Sequence, residues 1–125
     1  MTTNIPYRDI AKMIDHSLLN PTLTARELEE GCHLALQYDV ASVCIMPFGL
    51  KRCAEILAGS AVMASTTIGF PHGGHKTAIK VAEAEAALAD GGQELDMVIN
   101  ISKALSGDWQ YVTADIAAVV DVTHR

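Results

Sequence analysis

Short apolar runs alternate with amphipathic stretches of helical period along this chain, and that alternation is what most limits its fold. Ala41-Ser42-Val43-Cys44-Ile45-Met46 is small and β-branched in content and is stopped by Pro47, which favours a strand buried on both faces. A second run, Val62 to about Phe70, ends in the turn chemistry Gly69-Phe70-Pro71-His72-Gly73-Gly74. Leu95-Asp96-Met97-Val98-Ile99-Asn100 gives a third.

Helices fill the intervals. Thr24-Ala25-Arg26-Glu27 has capping-box spacing, in which hydroxyl and carboxylate satisfy each other's free backbone N–H groups, and predicts a helix to about Tyr38 with Leu28, Cys32, Ala35 and Leu36 on its apolar face. Leu50, Cys53, Ala54 and Leu57 recur at helical spacing before Gly59-Ser60, and an alanine-rich helix is expected from about Thr77 to Ala89, closed by Gly91-Gly92. Trp109, Val112, Ile116, Val119 and Val120 form a last stripe, capped by Asp108 and fading near His124-Arg125. A short helix near Tyr7 to Ile14, with Ile10, Met13 and Ile14 on one side, leads in, and the segment from Asp15 to Pro21 reads as an irregular loop.

A helical lead-in followed by three βα units indicates right-handed parallel crossovers, hence an α/β fold. Three units do not close a ring, and a (β/α)₈ TIM barrel takes about 250 residues. Residues 1–125 therefore read as the N-terminal portion of a single barrel domain, its remainder lying elsewhere. An open sheet leaves unpaired edges and an uncovered inner face, so either a homo-oligomer or association with the missing half-barrel is expected.

The net charge of −6 and the lack of any Lys/Arg cluster exclude nucleic acid and anionic membrane as main partners, which need a basic footprint. The first residues, Met1 to Pro6, lack a basic and apolar leader pattern, no later run is long enough to span a bilayer, and the reading is cytoplasmic. Cys32, Cys44 and Cys53 are an odd set without a Cys-x-x-Cys pair, which suits reduced thiols. His72-Gly73-Gly74-His75 has no third ligand at zinc-like spacing, so it reads as an ordinary loop and no metal is expected.

Strand alternation turns Ser42, Cys44 and Met46 inward, together with Asp96, Val98 and Asn100, while Leu95, Met97 and Ile99 turn outward. A carboxylate inside an apolar run is unfavourable unless a cation or donor meets it, which makes Asp96 the residue to explain, as a structural carboxylate or a catalytic one.

Four co-linear segments carry a resemblance: Ile14-Asp15-His16-Ser17-Leu18-Leu19-Asn20, Ala41 to Pro47, Thr67-Ile68-Gly69-Phe70-Pro71-His72-Gly73, and Glu94 to Asn100. Together they resemble the deoxyribose-phosphate aldolase family over nearly the whole chain. The resemblance implies a class I aldolase that cleaves 2-deoxyribose 5-phosphate to acetaldehyde and glyceraldehyde 3-phosphate through a lysine Schiff base, with a small phosphorylated sugar as partner and neither cofactor nor metal. It implies a proton-relay role for Asp96, with Cys44, Asp15, Ser17 and Asn20 about the substrate pocket and Asp15 at the barrel mouth. The matching lysines would lie beyond Arg125, and none of Lys12, Lys51, Lys76, Lys80 and Lys103 replaces them. Two other readings stay open: another TIM-barrel aldolase of different substrate, and a non-catalytic half-barrel.

Overall fold

The structure is a computed structural model and describes residues 4–124. Met1, Thr2, Thr3 and Arg125 lie outside the described residues, and with them the leader reading at the first three positions and the end of the last helix at Arg125.

Helix α1 (Tyr7–Ala11) leads into β1 (Asp15–Leu18), and α2 (Ala25–Tyr38) crosses to β2 (Ser42–Ile45). A short 3₁₀ turn (Pro47–Gly49) and α3 (Leu50–Leu57) precede β3 (Met63–Ile68); α4 (Thr77–Ala89) precedes β4 (Glu94–Met97), and α5 (Ile101–Leu105) and α6 (Trp109–Thr123) follow. The four strands are parallel in the order β1-β2-β3-β4. Consecutive parallel neighbours, each joined by a helical crossover on the same side, are the way a (β/α)₈ barrel is laid down, and this chain supplies part of one.

One strand more is present than the three expected. Asp15-His16-Ser17-Leu18 pairs with β2 from Asp15↔Ser42 to Leu18↔Ile45 instead of forming an irregular loop. Four residues with three polar side chains carry no apolar run; the ladder to β2 makes them a strand, and periodicity does not register a neighbour.

The helices form as their caps direct. The Thr24 hydroxyl accepts from the Glu27 N–H while the Glu27 carboxylate accepts from the Thr24 N–H, and Asp108 accepts from the Tyr111 N–H at the start of α6. Leu28, Cys32, Ala35, Leu50, Cys53 and Leu57 pack from α2 and α3 onto Val43, Ile45, Ala64 and Ile68 of the sheet, and all are buried. Cys32 and Cys53 are thus core residues without disulfide partners.

Two apolar stripes differ from expectation. Helix α1 ends at Ala11, its one buried residue, so Ile10, Met13 and Ile14 are exposed. On α6 the buried line runs through Val112, Asp115, Val119 and Val122, while Trp109, Ile116 and Val120 are exposed. The buried Asp115 lies on the side of α6 that meets Lys80 of α4, and hydropathy does not identify an aspartate as an inward residue. No helix among the described residues is long and apolar enough to cross a membrane.

Candidate active site

Parallel pairing aligns side chains laterally, so register shows which residues share a face. Ser17, Cys44, Ser65 and Glu94 form one row across all four strands. Asp15, Ser42 and Met63 lie one pleat toward the strand N-termini, and Thr67 and Asp96 one pleat toward the C-termini. The opposite face carries Leu18, Val43, Ile45, Ala64 and Ile68, covered by helices, with Leu95 and Met97 packed against them. Met46, expected inward, lies past the end of β2 and packs against that same core.

The polar face is tied together. The Cys44 thiol donates to Asp96 Oδ2 at 3.3 Å, and the Ser42 hydroxyl donates to Asp15 Oδ1 at 2.7 Å. Burial pushes the Cys44 thiol up to about 12, with the Asp96 hydrogen bond and charge adding to it. Glu94 is also raised, first by burial and then by the like charges of Asp15 and Asp96. Three carboxylates therefore share this face, and among the described residues none has an ion-pair partner. Asp96 is exposed, where the ring picture has it enclosed, because among the described residues nothing covers the inner face.

The other predicted pocket residues divide. Ser17 lies on the inner face, in register with Cys44, and is exposed. Asp15 begins β1, so it lies at the N-terminal end of the face and not at the mouth, which parallel barrels place at the C-terminal strand ends. Asn20 turns back into its own loop, where its Oδ1 accepts from the Thr22 N–H at 3.0 Å and the Thr22 hydroxyl at 2.9 Å; its side chain is committed to that turn. Asn100, expected inward at the end of the third run, follows β4 and caps α5, its Oδ1 accepting from the Lys103 N–H.

Sequence reasoning missed Ser65, Thr67 and Glu94. Ser65 is fully buried, and its hydroxyl is the one buried side-chain polar atom among the described residues without a hydrogen-bond partner. Strand parity could have found all three, because each stands two residues from another or opposite Cys44 or Asp96.

Among the lysines, Lys103 sits in α5, the short helix that follows β4. Its Nζ lies 2.8 Å from Asp108 Oδ2 and 4.8 Å from the centre of the Tyr111 ring, and the hydrogen bond it donates to Asp108 raises its pKa. An amine held charged is a poor nucleophile. Lys80 is fully buried and ion-paired, which the sequence reading did not expect. His72 and His75 stack 6.0 Å apart, His72 Nδ1 accepts from the Gly74 N–H, and no cluster of three or more metal-binding side chains occurs among the described residues.

A parallel sheet with helices on one face, and with a thiol and carboxylates gathered on the other, defines part of an α/β-barrel enzyme. The sequence profile of the DeoC/LacD family aldolase matches residues 10–125, and the chain belongs to that family. It is 64% identical over 118 residues to the deoxyribose-phosphate aldolase of Rhodopirellula baltica, an alignment that covers 94% of this chain and 49% of that protein. Among solved structures, an aldolase designated QR15 superposes with a TM-score of 0.84 at 34% identity, covering 89% of this chain and 49% of its own. The deoxyribose phosphate aldolase of Aeropyrum pernix, described as tetrameric, superposes with a TM-score of 0.72 at 25% identity, over 88% of this chain and 50% of that one. The chain spans about half the length of the curated relatives it matches.

Proposed function

We propose that residues 1–125 form the N-terminal portion of one TIM-barrel domain whose reaction is the reversible Schiff-base cleavage of 2-deoxyribose 5-phosphate to acetaldehyde and glyceraldehyde 3-phosphate. The observation that carries this reading is the cluster of Asp15, Glu94 and Asp96 beside Cys44, carboxylates that have no ion-pair partner among the described residues. A lysine from the rest of the barrel complements such a face once it has become a cationic imine, while a second cation or burial keeps the free amine neutral for attack. There the carboxylates would favour a positive imine, and Asp96 would move protons between the amine, an ordered water and substrate carbon. Cys44 lines the same pocket as a protonated thiol, not as a nucleophile.

The relatives' shared name supports the substrate, and the charge balance supports the mechanism: an anionic half-site requires a cationic other half. The reaction needs no cofactor in this reading, and its setting is cytoplasmic. The barrel assembles within one full-length chain or from separate halves, and its partners are the missing half-barrel or further copies of itself. The test is reductive trapping. Full-length protein incubated with deoxyribose 5-phosphate and borohydride should gain the mass of a reduced substrate fragment on a lysine outside residues 1–125. Cleavage without a trapped adduct would exclude the Schiff base, and no cleavage at all would exclude the substrate.

A further inference from the structure

Lys80 and Asp115 are both shut off from solvent, and Lys80 Nζ lies 2.6 Å from Asp115 Oδ2. Removing two charges from water is unfavourable by several kcal/mol per ion, so a pair of this kind is weak evidence for stability as such. What the pair holds is more informative. The same ammonium donates to the Val98 carbonyl at 2.9 Å, two residues beyond Asp96, and the Thr77 hydroxyl donates to the other oxygen of Asp115 at 2.6 Å. One turn along α4 from Lys80, Glu83 accepts from the Gly69 N–H at 2.8 Å, at the end of β3. The stem of Lys80 runs against Gly69 itself: a Cβ there would meet Lys80 Cε at 2.9 Å. Two helices are thereby locked to the C-terminal ends of β3 and β4, where parallel barrels carry out their chemistry.

We propose that Lys80 and Asp115 are a positioning pair, which fixes the height and direction of Asp96 by anchoring the Val98 carbonyl just past the end of β4. The inference rests on the aldolase reading above. Neither side chain touches substrate, and the effect travels through two residues of backbone. A hydrophobic pair of similar volume would fill the space between α4 and α6 but would leave the Val98 carbonyl without its ammonium donor, so that the residue is held only through its N–H, which donates to the Ile68 carbonyl at 2.9 Å.

The test is the double variant Lys80→Met with Asp115→Leu in the full-length protein, which removes both charges together and leaves neither one buried alone. The expected result is a thermal midpoint close to that of the wild type, an unchanged KM for deoxyribose 5-phosphate, and a kcat lower by about a hundredfold, the scale of a 1 Å misplacement at a reacting centre. A folded double variant with wild-type kcat overturns the inference. Should the double variant not fold, Thr77→Val weakens the same anchor at one hydrogen bond. A smaller fall in kcat at constant KM supports positioning, and an unchanged kcat overturns it. Wild-type protein that does not turn over the sugar phosphate removes the aldolase reading and this inference with it, a result distinct from an active wild type matched by its variant.

Discussion

Cys44 on β2 and Asp96 on β4 touch over the intervening strand, thiol to carboxylate at 3.3 Å, although 52 residues separate them in sequence. The contact is possible because β3 places a small side chain, Ser65, between them in the same row as Cys44. Among the described residues the Asp96 side chain has one hydrogen-bond partner, the Cys44 thiol, and no ion pair, so an isosteric amide should leave the fold almost unchanged while removing the proton relay proposed for it. Asp96→Asn in the full-length protein is expected to lower kcat for deoxyribose 5-phosphate by about 10²- to 10⁴-fold, the usual contribution of a positioned acid or base, with little change in thermal midpoint. Steady-state kinetics beside a melting curve checks both halves of this expectation.

The raised thiol of Cys44 makes a prediction about pH. The folded protein keeps the proton up to about 12, whereas an unfolded chain releases it near the ordinary value of 9.0. The unfolded state is therefore favoured progressively as pH rises through that window, and the stability present below 9.0 is lost toward 12. Cys44→Ala should flatten the decline, measured as urea midpoints on either side of pH 9.0. Asp96→Asn should bring the thiol only part of the way back, because burial, the largest single cause, remains when the carboxylate's hydrogen bond and charge are lost. Alkylation of Cys44 should accordingly begin at lower pH in that variant.

Lys12 works at the other end of the sheet. Its ammonium, with three donors, uses all of them: Asp39 Oδ1 at 2.7 Å, the Val40 carbonyl at 2.9 Å and the Ala61 carbonyl at 3.2 Å. Val40 and Ala61 precede β2 and β3, so this lysine ties strand N-termini together, and that end of a parallel barrel carries stability instead of chemistry. Lys12→Met should destabilise by about 1–3 kcal/mol, the range for losing hydrogen bonds to a charged group, with kcat and KM unchanged. Denaturant unfolding beside kinetics would test the division, and a fall in kcat would contradict it.

The two lysines also mark where sequence reading stops. The strands β2, β3 and β4 and the capped helices α2 and α6 were legible because alternation, β-branching and capping spacing are local signals. The pairing of Asp96 with the face of Cys44 followed from strand parity. β1 was not legible, since Asp15-His16-Ser17-Leu18 becomes a strand only when β2 offers its edge. Asp15, which the resemblance put at the barrel mouth, begins β1 and so lies at the N-terminal end of the sheet. The buried Lys80 and Asp115 lie 35 residues apart on helices whose remaining pattern is ordinary, so each alone reads as a solvated charge. Their partnership is a tertiary fact with no local trace.

Gly73 and Gly59 separate two reasons for glycine that the sequence leaves indistinguishable. Both have left-handed backbone, φ +66° at Gly73 and φ +77° at Gly59, where a Cβ is strained by about 1–2 kcal/mol. Around Gly59 there is nothing within 4 Å of an added Cβ, so Gly59→Ala should show that strain and no more. At Gly73 the same atom would fall 1.9 Å from the Ile99 carbonyl oxygen and 2.8 Å from that of Val98, both backbone, while the Gly73 N–H is held by the Gly69 carbonyl at 2.8 Å. The turn after β3 and the chain leaving β4 are thus in direct contact, and no side-chain rotation relieves the collision. Gly73→Ala must push apart the two strand ends that Lys80 and Glu83 hold, so its loss of thermal stability should exceed that of Gly59→Ala, and aldolase activity should fall with it. Because the Val98 carbonyl is both the nearer anchor of Asp96 and an atom in this collision, Gly73→Ala should also shift the pH onset of Cys44 alkylation, whereas Gly59→Ala should leave that onset where the wild type has it.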